Sequence, residues 1–184
     1  MKPMKVLDIG CGKNKYKNDL ENVTGMDKVQ LPGVDVVHDM EQFPYIFADK
    51  SFDKVIMQHS LEHVSKENMT NIKIIEEIHR ILKPGGLLVV EVPIGQWFHY
   101  DPTHKNYVGY WYWKYFSSDF PLNFYTATRL ELVKSDLVGI HGLKGIEHLT
   151  TIFNWLYQRT PNGIERFINF MNLDAAIRYE LRKV

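Results

Sequence analysis

The sequence predicts an α/β protein: a doubly wound, mostly parallel sheet with an antiparallel last strand and an aromatic insertion after strand five. Three observations carry this. Short apolar runs alternate with turns and helical patterns through the first half of the 184 residues. The run "LLVVEVP" (87–93) is hydrophobic throughout, as a central parallel strand covered on both faces would be. Near the end, "DAAIRYELRKV" (174–184) alternates Ile177, Tyr179 and Leu181 with Arg178, Glu180 and Arg182. Two late strands with a short insertion between them can pair antiparallel.

In order, "MKVLDIG" (4–10) is a buried strand ended by glycine. "VTGMD" (23–27) is a second strand closing on an acid, "VDVVHD" (34–39) a third and "FDKVIMQHS" (52–60) a fourth. About ten residues separate Gly12 from Val23, so any first crossover helix must be short or irregular. A helix is expected over 66–82, with Met69, Ile72, Ile75, Ile78 and Leu82 at the helical period and Ser65 as N-cap. "KPGG" (83–86) stops it. Residues 97–125 hold 13 of the 24 aromatics. A strand follows over 126–140, then helices over 146–159 and 162–171. The length fits one domain over 1–184, with a cofactor-binding half (1–95) and a substrate-side half carrying the last two strands (96–184).

Apolar residues make up 45% and charged residues 24%, and Lys plus Arg equals Asp plus Glu at 22 each. Proteins that track a nucleic-acid backbone usually carry a basic excess, so nucleic acid is not favoured as a partner. Cys11 is alone, which rules out an internal disulfide. The apolar run in "MKPMKVLDIG" is too short for a signal peptide, and no segment approaches a membrane span. A cytoplasmic protein is expected.

The stretch "DIGCGKNK" (8–15) is a glycine turn after a strand. A Walker phosphate loop would need a Gly-Lys-Ser/Thr ending, which is missing. A dinucleotide fingerprint would need glycine at position 15, which is Lys. What remains is Asp-Ile-Gly-Cys-Gly after strand one, with an acid at the end of strand two.

That set resembles the class I S-adenosylmethionine-dependent methyltransferases, which are Rossmann-like. "VLDIGCGKNK" is similar to their first motif, "GMD" to their second, "HDM" to their third and "LKPGGLLVVEVP" to their strand-five motif. "FDKVIMQHSLEHV" resembles the strand-four segment of the type-11 subgroup. Asn14 departs from the usual third glycine, though Asn tolerates a left-handed backbone. The resemblance implies S-adenosylmethionine as cofactor. Gly10 and Gly12 would let the chain pass close to its tail and ribose, with Asp8 orienting the loop and reaching the amino group. Asp27 would accept the ribose hydroxyls, as acids do in dinucleotide folds. Asp39 and the Met40 N–H would take the adenine, and Gln58 and His59 would lie beside the tail and sulfonium.

"HSLEH" sets His59, Glu62 and His63 at H-x-x-E-H, the spacing of an inverzincin zinc site. It also resembles the E-x-x-E-H metal motif of small-RNA 2′-O and ubiquinone O-methyltransferases, with His104 of "DPTH" as a further ligand. Because "LEHV" occurs in many methyltransferases of this type without metal, the metal-free reading is preferred. His63 and His104 are the candidate general bases, since histidine titrates near neutrality. Tyr100, Asp101, His104 and Lys105 are the polar group expected to face a substrate, beneath aromatics that partly cover the site and partly pack as core. The expected function is methyl transfer to an oxygen, nitrogen or carbon of a small or medium acceptor. Two alternatives stand: a metal-assisted O-methyltransferase and an inactive partner subunit keeping the cofactor fold. The 146–159 helix is expected in the core or in a homodimer contact.

Overall fold

The structure, a computed structural model, describes residues 3–141 and 150–184. Seven strands form one sheet: β1 (Met4–Ile9), β2 (Glu21–Asp27), β3 (Val36–Val37), β4 (Phe52–Gln58), β5 (Leu82–Gly95), β6 (Leu130–His141) and β7 (Asp174–Lys183). Their order is β3-β2-β1-β4-β5-β7-β6. β3, β2, β1, β4 and β5 pair in parallel, and β7 pairs antiparallel with both neighbours. This is the mixed, Rossmann-like sheet expected, with the last strand as the reversed one.

The helical layer is thinner than the sequence predicts. Residues 13–20 are turns and irregular chain, so no crossover helix joins β1 to β2. The 66–82 helix is shorter than its periodicity. A 3-10 turn occupies Glu67–Met69, and Asn68 and Met69 both take positive φ, 53° and 58°. α1 (Thr70–Ile81) therefore starts four residues late. Ser65 caps neither helix: it precedes Lys66, the N-cap of the 3-10 turn, and its Oγ accepts the Glu67 N–H at 3.1 Å. α1 buries Ile74, Ile75, Ile78 and Ile81, while Met69 is exposed.

β5 starts at once after α1. Leu82 pairs with Phe52, the chain bulges through Pro84–Gly86, and pairing resumes at Leu87 with Lys54. Gln58, the last residue of β4, lies opposite Glu91, so Val92–Gly95 extend beyond β4 with β7 as their partner. The overhang leads into α2 (Gln96–Tyr100) and α3 (Tyr110–Lys114) of the aromatic segment. There Trp113 and Phe116 are buried, whereas Tyr100, Trp111, Phe124 and Tyr125 are exposed, the mixture expected. α4 (Thr150–Tyr157) and α5 (Pro161–Phe170) precede β7; residues 146–149 of the expected helix lie outside the described residues. On α4, Ile152 and Trp155 are exposed and Tyr157 is buried. No helix among the described residues is long and apolar enough to cross a membrane.

Parallel strands place their carboxyl ends at one edge, where open α/β sheets bind ligands. β5 leaves that edge through Gly95 at φ +65°, and a Cβ there would lie 2.1 Å from the Leu173 carbonyl oxygen. Gly95→Ala should therefore cost at least about 2 kcal/mol, from left-handed strain plus overpacking. Urea unfolding should show a lower midpoint at an unchanged slope.

Candidate functional site

The turn after β1 is built around Gly10. Its φ is +72°, and a Cβ would lie 2.6 Å from Ser60 Cβ, so only glycine fits. The N–H groups of Gly10 and Cys11 both donate to the Met26 carbonyl, at 2.8 and 3.2 Å. Gly12, at φ +52°, donates its N–H to Asp27 Oδ2 at 2.9 Å. The β1 turn is thus tied to the tip of β2 by backbone and side chain together.

Asp8 is buried, and its Oδ2 accepts the Tyr16 N–H at 2.7 Å. Burial pushes its carboxyl above the usual carboxylate range, against the opposing pull of that N–H. Asp8 therefore orders the loop, as expected of it. Lys15 bonds Asp35 at 2.8 Å, and Asp35 also accepts the Gly25 N–H at 2.7 Å. Those contacts, the Gly25 N–H first, hold Asp35 below the usual range. Asp35 is a loop anchor that the sequence reading missed, being ten residues from its backbone donor.

Two cavities open along the carboxyl edge and share Gly10 and His59. One, about 190 Å³, is lined by Asp27, Asp39 and Met40 together with Lys28, His38, Ser60 and His63. The other, about 320 Å³, is lined by Asp8, Gly12, Lys13, Asn14 and Gln58. All eight residues expected at the cofactor line one or other of these two adjoining cavities, together called the groove below. Asp27 Oδ1 accepts the Val29 N–H at 3.0 Å, and each carboxylate oxygen retains acceptor capacity. Asp39 Oδ1 accepts the Glu41 N–H at 2.9 Å, and the Met40 carbonyl accepts the Tyr45 hydroxyl at 2.8 Å.

His59 divides the lobes. The chain turns out of β4 there at φ +48°, and its N–H donates to the Glu91 carbonyl at 2.9 Å. Its Nδ1 lies 3.5 Å from Glu62 Oε1 and its Nε2 3.4 Å from Glu91 Oε1. Glu91 is held in turn by Arg178, at 2.7 and 2.9 Å. The Glu62 and then the Glu91 carboxylate push the His59 pKa up to about 9. At neutral pH the groove therefore contains an imidazolium. Sequence reading missed the Glu91–Arg178 pair because its members are 87 residues apart.

Beyond His59 lies a second cluster. Asp101 Oδ1 accepts both the N–H and the hydroxyl of Thr103, at 2.8 and 2.6 Å. A hydroxyl has one proton to give, so Thr103 Oγ1, 2.9 Å from His63 Nδ1, accepts from that nitrogen. His104 Nδ1 lies 2.8 Å from the Phe98 carbonyl and must donate to it. Both imidazoles thus carry the proton on Nδ1. Of the expected substrate-facing group, Tyr100 and Lys105 are exposed, Asp101 serves Thr103, and the His104 side chain is 5% exposed. One ligand atom each from Glu62, His63 and His104 lie within 4.8 Å of one another. The expected fourth member, His59, is not in that group: both its nitrogens face carboxylates, and a protonated imidazole has no lone pair to offer.

Ring contacts Tyr107–Phe98–His104–His63, with centroids 5.2, 5.4 and 4.8 Å apart, lead from the groove to a third cavity of about 620 Å³. Tyr107, Trp111, Tyr112 and Tyr115 line it.

Because the folded-state pKa of His59 is raised, its stabilising contribution is complete below the unfolded value of 6.5 and is lost as pH rises through about 9. Melting temperatures across that window should fall more steeply for the wild type than for His59→Gln. Parallel curves would count against the imidazolium.

Residues 7–90 match the methyltransferase domain family. No sequence relative matches among curated proteins. Among solved structures, an S-adenosylmethionine-dependent methyltransferase from Archaeoglobus fulgidus is 20% identical with a TM-score of 0.59, covering 98% of this chain and 86% of its own. The complex between the Haloferax volcanii Trm112 methyltransferase activator and a candidate methyltransferase gives 16% and 0.58, over 99% and 83%. The [4+2]-cyclase SpnF gives 17% and 0.54, over 98% and 74%. Residues 7–90 thus match the methyltransferase domain model, and the chain shares the fold of the solved S-adenosylmethionine-dependent methyltransferase from Archaeoglobus fulgidus.

Proposed function

We propose that this protein binds S-adenosylmethionine in the two-lobed groove and transfers its methyl group to a small or medium acceptor. The observation that carries the reading is that Asp27, Asp39 and the Gly10–Gly12 turn line two adjoining cavities that share Gly10 and His59. Fold alone would not license it, since a cyclase shares this fold.

The residues fit the group. Asp27, with acceptor capacity left on both oxygens, suits the two ribose hydroxyls. Asp39 and Met40 border the lobe suited to adenine. The lobe of Asp8, Gly12 and Gln58 suits the amino-acid tail, and open space surrounds Gly12 where a side chain would intrude. The His59 imidazolium suits the tail's carboxylate better than the sulfonium, whose charge has the same sign. The cofactor supplies an electrophilic methyl when bound. The chain's task is then alignment of the nucleophile with that methyl, which carries most of the rate in a displacement.

His63 lines the groove with Nε2 as its basic nitrogen and Thr103 and Asp101 behind Nδ1. It is the candidate base where the acceptor has a proton to lose. His104, turned to the Phe98 carbonyl, is better read as its neighbour than as the base. An activator-dependent variant of this reading follows from the Haloferax volcanii complex, in which a partner accompanies the fold.

Calorimetry on the wild type and on Asp27→Asn tests the reading. The substitution keeps the side chain's shape but removes its charge. Hydrogen bonds to charged groups contribute about 1.5–3 kcal/mol each, so S-adenosylhomocysteine affinity should fall about tenfold or more. A folded wild type that binds neither cofactor form contradicts the proposal.

A further inference from the structure

We propose that Glu62, His63 and His104 form a binding site for one divalent transition-metal ion, with zinc as its best-matched occupant. The three offer ligand atoms within 4.8 Å of one another. Two imidazoles and a carboxylate form a zinc donor set that leaves a fourth position open, and imidazole selects against magnesium and calcium. Zinc bonds of roughly 2.1 Å bring ligand atoms to roughly 3.4 Å apart, so the side chains close in by about an ångström on binding.

A second, independent observation points to a cation. Glu62 is 1% exposed, yet neither of its carboxylate oxygens accepts a hydrogen bond among the described residues. Among the described residues His59 is its ion-pair partner, 3.5 Å from Oε1. His59 faces Oε1 only; Oε2 is buried without a partner among the described residues, and a bound cation would supply one.

The surroundings are those of ligating histidines. Each ligating imidazole usually donates its other N–H to a carbonyl or carboxylate, which fixes tautomer and orientation. His104 donates Nδ1–H to the Phe98 carbonyl at 2.8 Å. His63 donates Nδ1–H to Thr103 Oγ1 at 2.9 Å, and that hydroxyl is committed to Asp101 at 2.6 Å. Nε2 is then the ligand atom left on each ring, that of His104 standing 3.7 Å from Asp101 Oδ2. The Lys105 and Asn106 N–H groups donate to the Glu62 carbonyl at 2.8 and 2.9 Å, which joins the loop bearing His104 to the turn bearing Glu62 and His63. His63 also lines the groove. The site stands whether or not the methyl-transfer reading holds, and its test uses no S-adenosylmethionine.

Chelator-treated full-length protein should be titrated with zinc sulfate by calorimetry, with melting temperature followed in parallel. One zinc per chain should bind, and zinc should raise the melting temperature by mass action. Glu62→Gln and His63→Gln should each weaken binding at least tenfold. Glu62→Gln keeps the side chain's shape, and zinc should leave its melting temperature unmoved. His59→Gln should keep zinc affinity or tighten it. Stoichiometric zinc unaffected by Glu62→Gln and His63→Gln, no zinc bound by a folded wild type, or a loss in His59→Gln equal to that in Glu62→Gln would each overturn the three-residue site.

Discussion

The left-handed turn at Gly10 is the constraint on which the groove depends. Three strands meet there. β1 ends in the turn, the Gly10 and Cys11 N–H groups reach the Met26 carbonyl of β2, and Ser60 beyond β4 fills the space a side chain would need. Ser60 also donates its hydroxyl to the Ile9 carbonyl at 3.2 Å. Moving the turn would carry Gly12 away from Asp27 and separate the two lobes. The parallel register of β1 with β2 and β4 brings these ends level, and the glycine lets them close.

Charge is arranged around that turn with a clear division. Acids at the tips of β1 and β2 serve backbone N–H groups, which fixes the loops while leaving acceptor capacity toward the groove. At the tip of β4 the pattern reverses: an imidazolium is held between two carboxylates, one backed by Arg178 of β7. The overhang of β5 past β4 makes this pairing available, since Glu91 stands opposite the last residue of β4. The reversed strand β7 therefore contributes to the site as well as to the sheet.

Much of the groove was legible in the sequence because its residues are local to strand ends. Gly10, Gly12, Asp27 and Asp39 each follow a short apolar run, and their place at the carboxyl edge needs only the sheet to be parallel. What escaped depends on distance or on backbone conformation. The start of α1 was displaced by left-handed Asn68 and Met69, which no apolar period records. The spacing H-x-x-E-H placed His59 with Glu62 and His63, yet Glu91 claims His59 from 32 positions away and removes it from that set. Asp101, Thr103 and His63 likewise join into one chain only once the loop after α2 folds back over the turn after β4.

The central claim is that one continuous groove across β1, β2 and β4 seats an adenosyl amino acid. A crystal structure with S-adenosylhomocysteine tests it most directly. The account places the ribose hydroxyls on the Asp27 carboxylate, the adenine beside Asp39 and Met40, and the tail along Gly10–Gly12 near His59. A ligand seated instead in the aromatic cavity of Tyr107 and Trp111, or ribose hydroxyls turned away from Asp27, would contradict it.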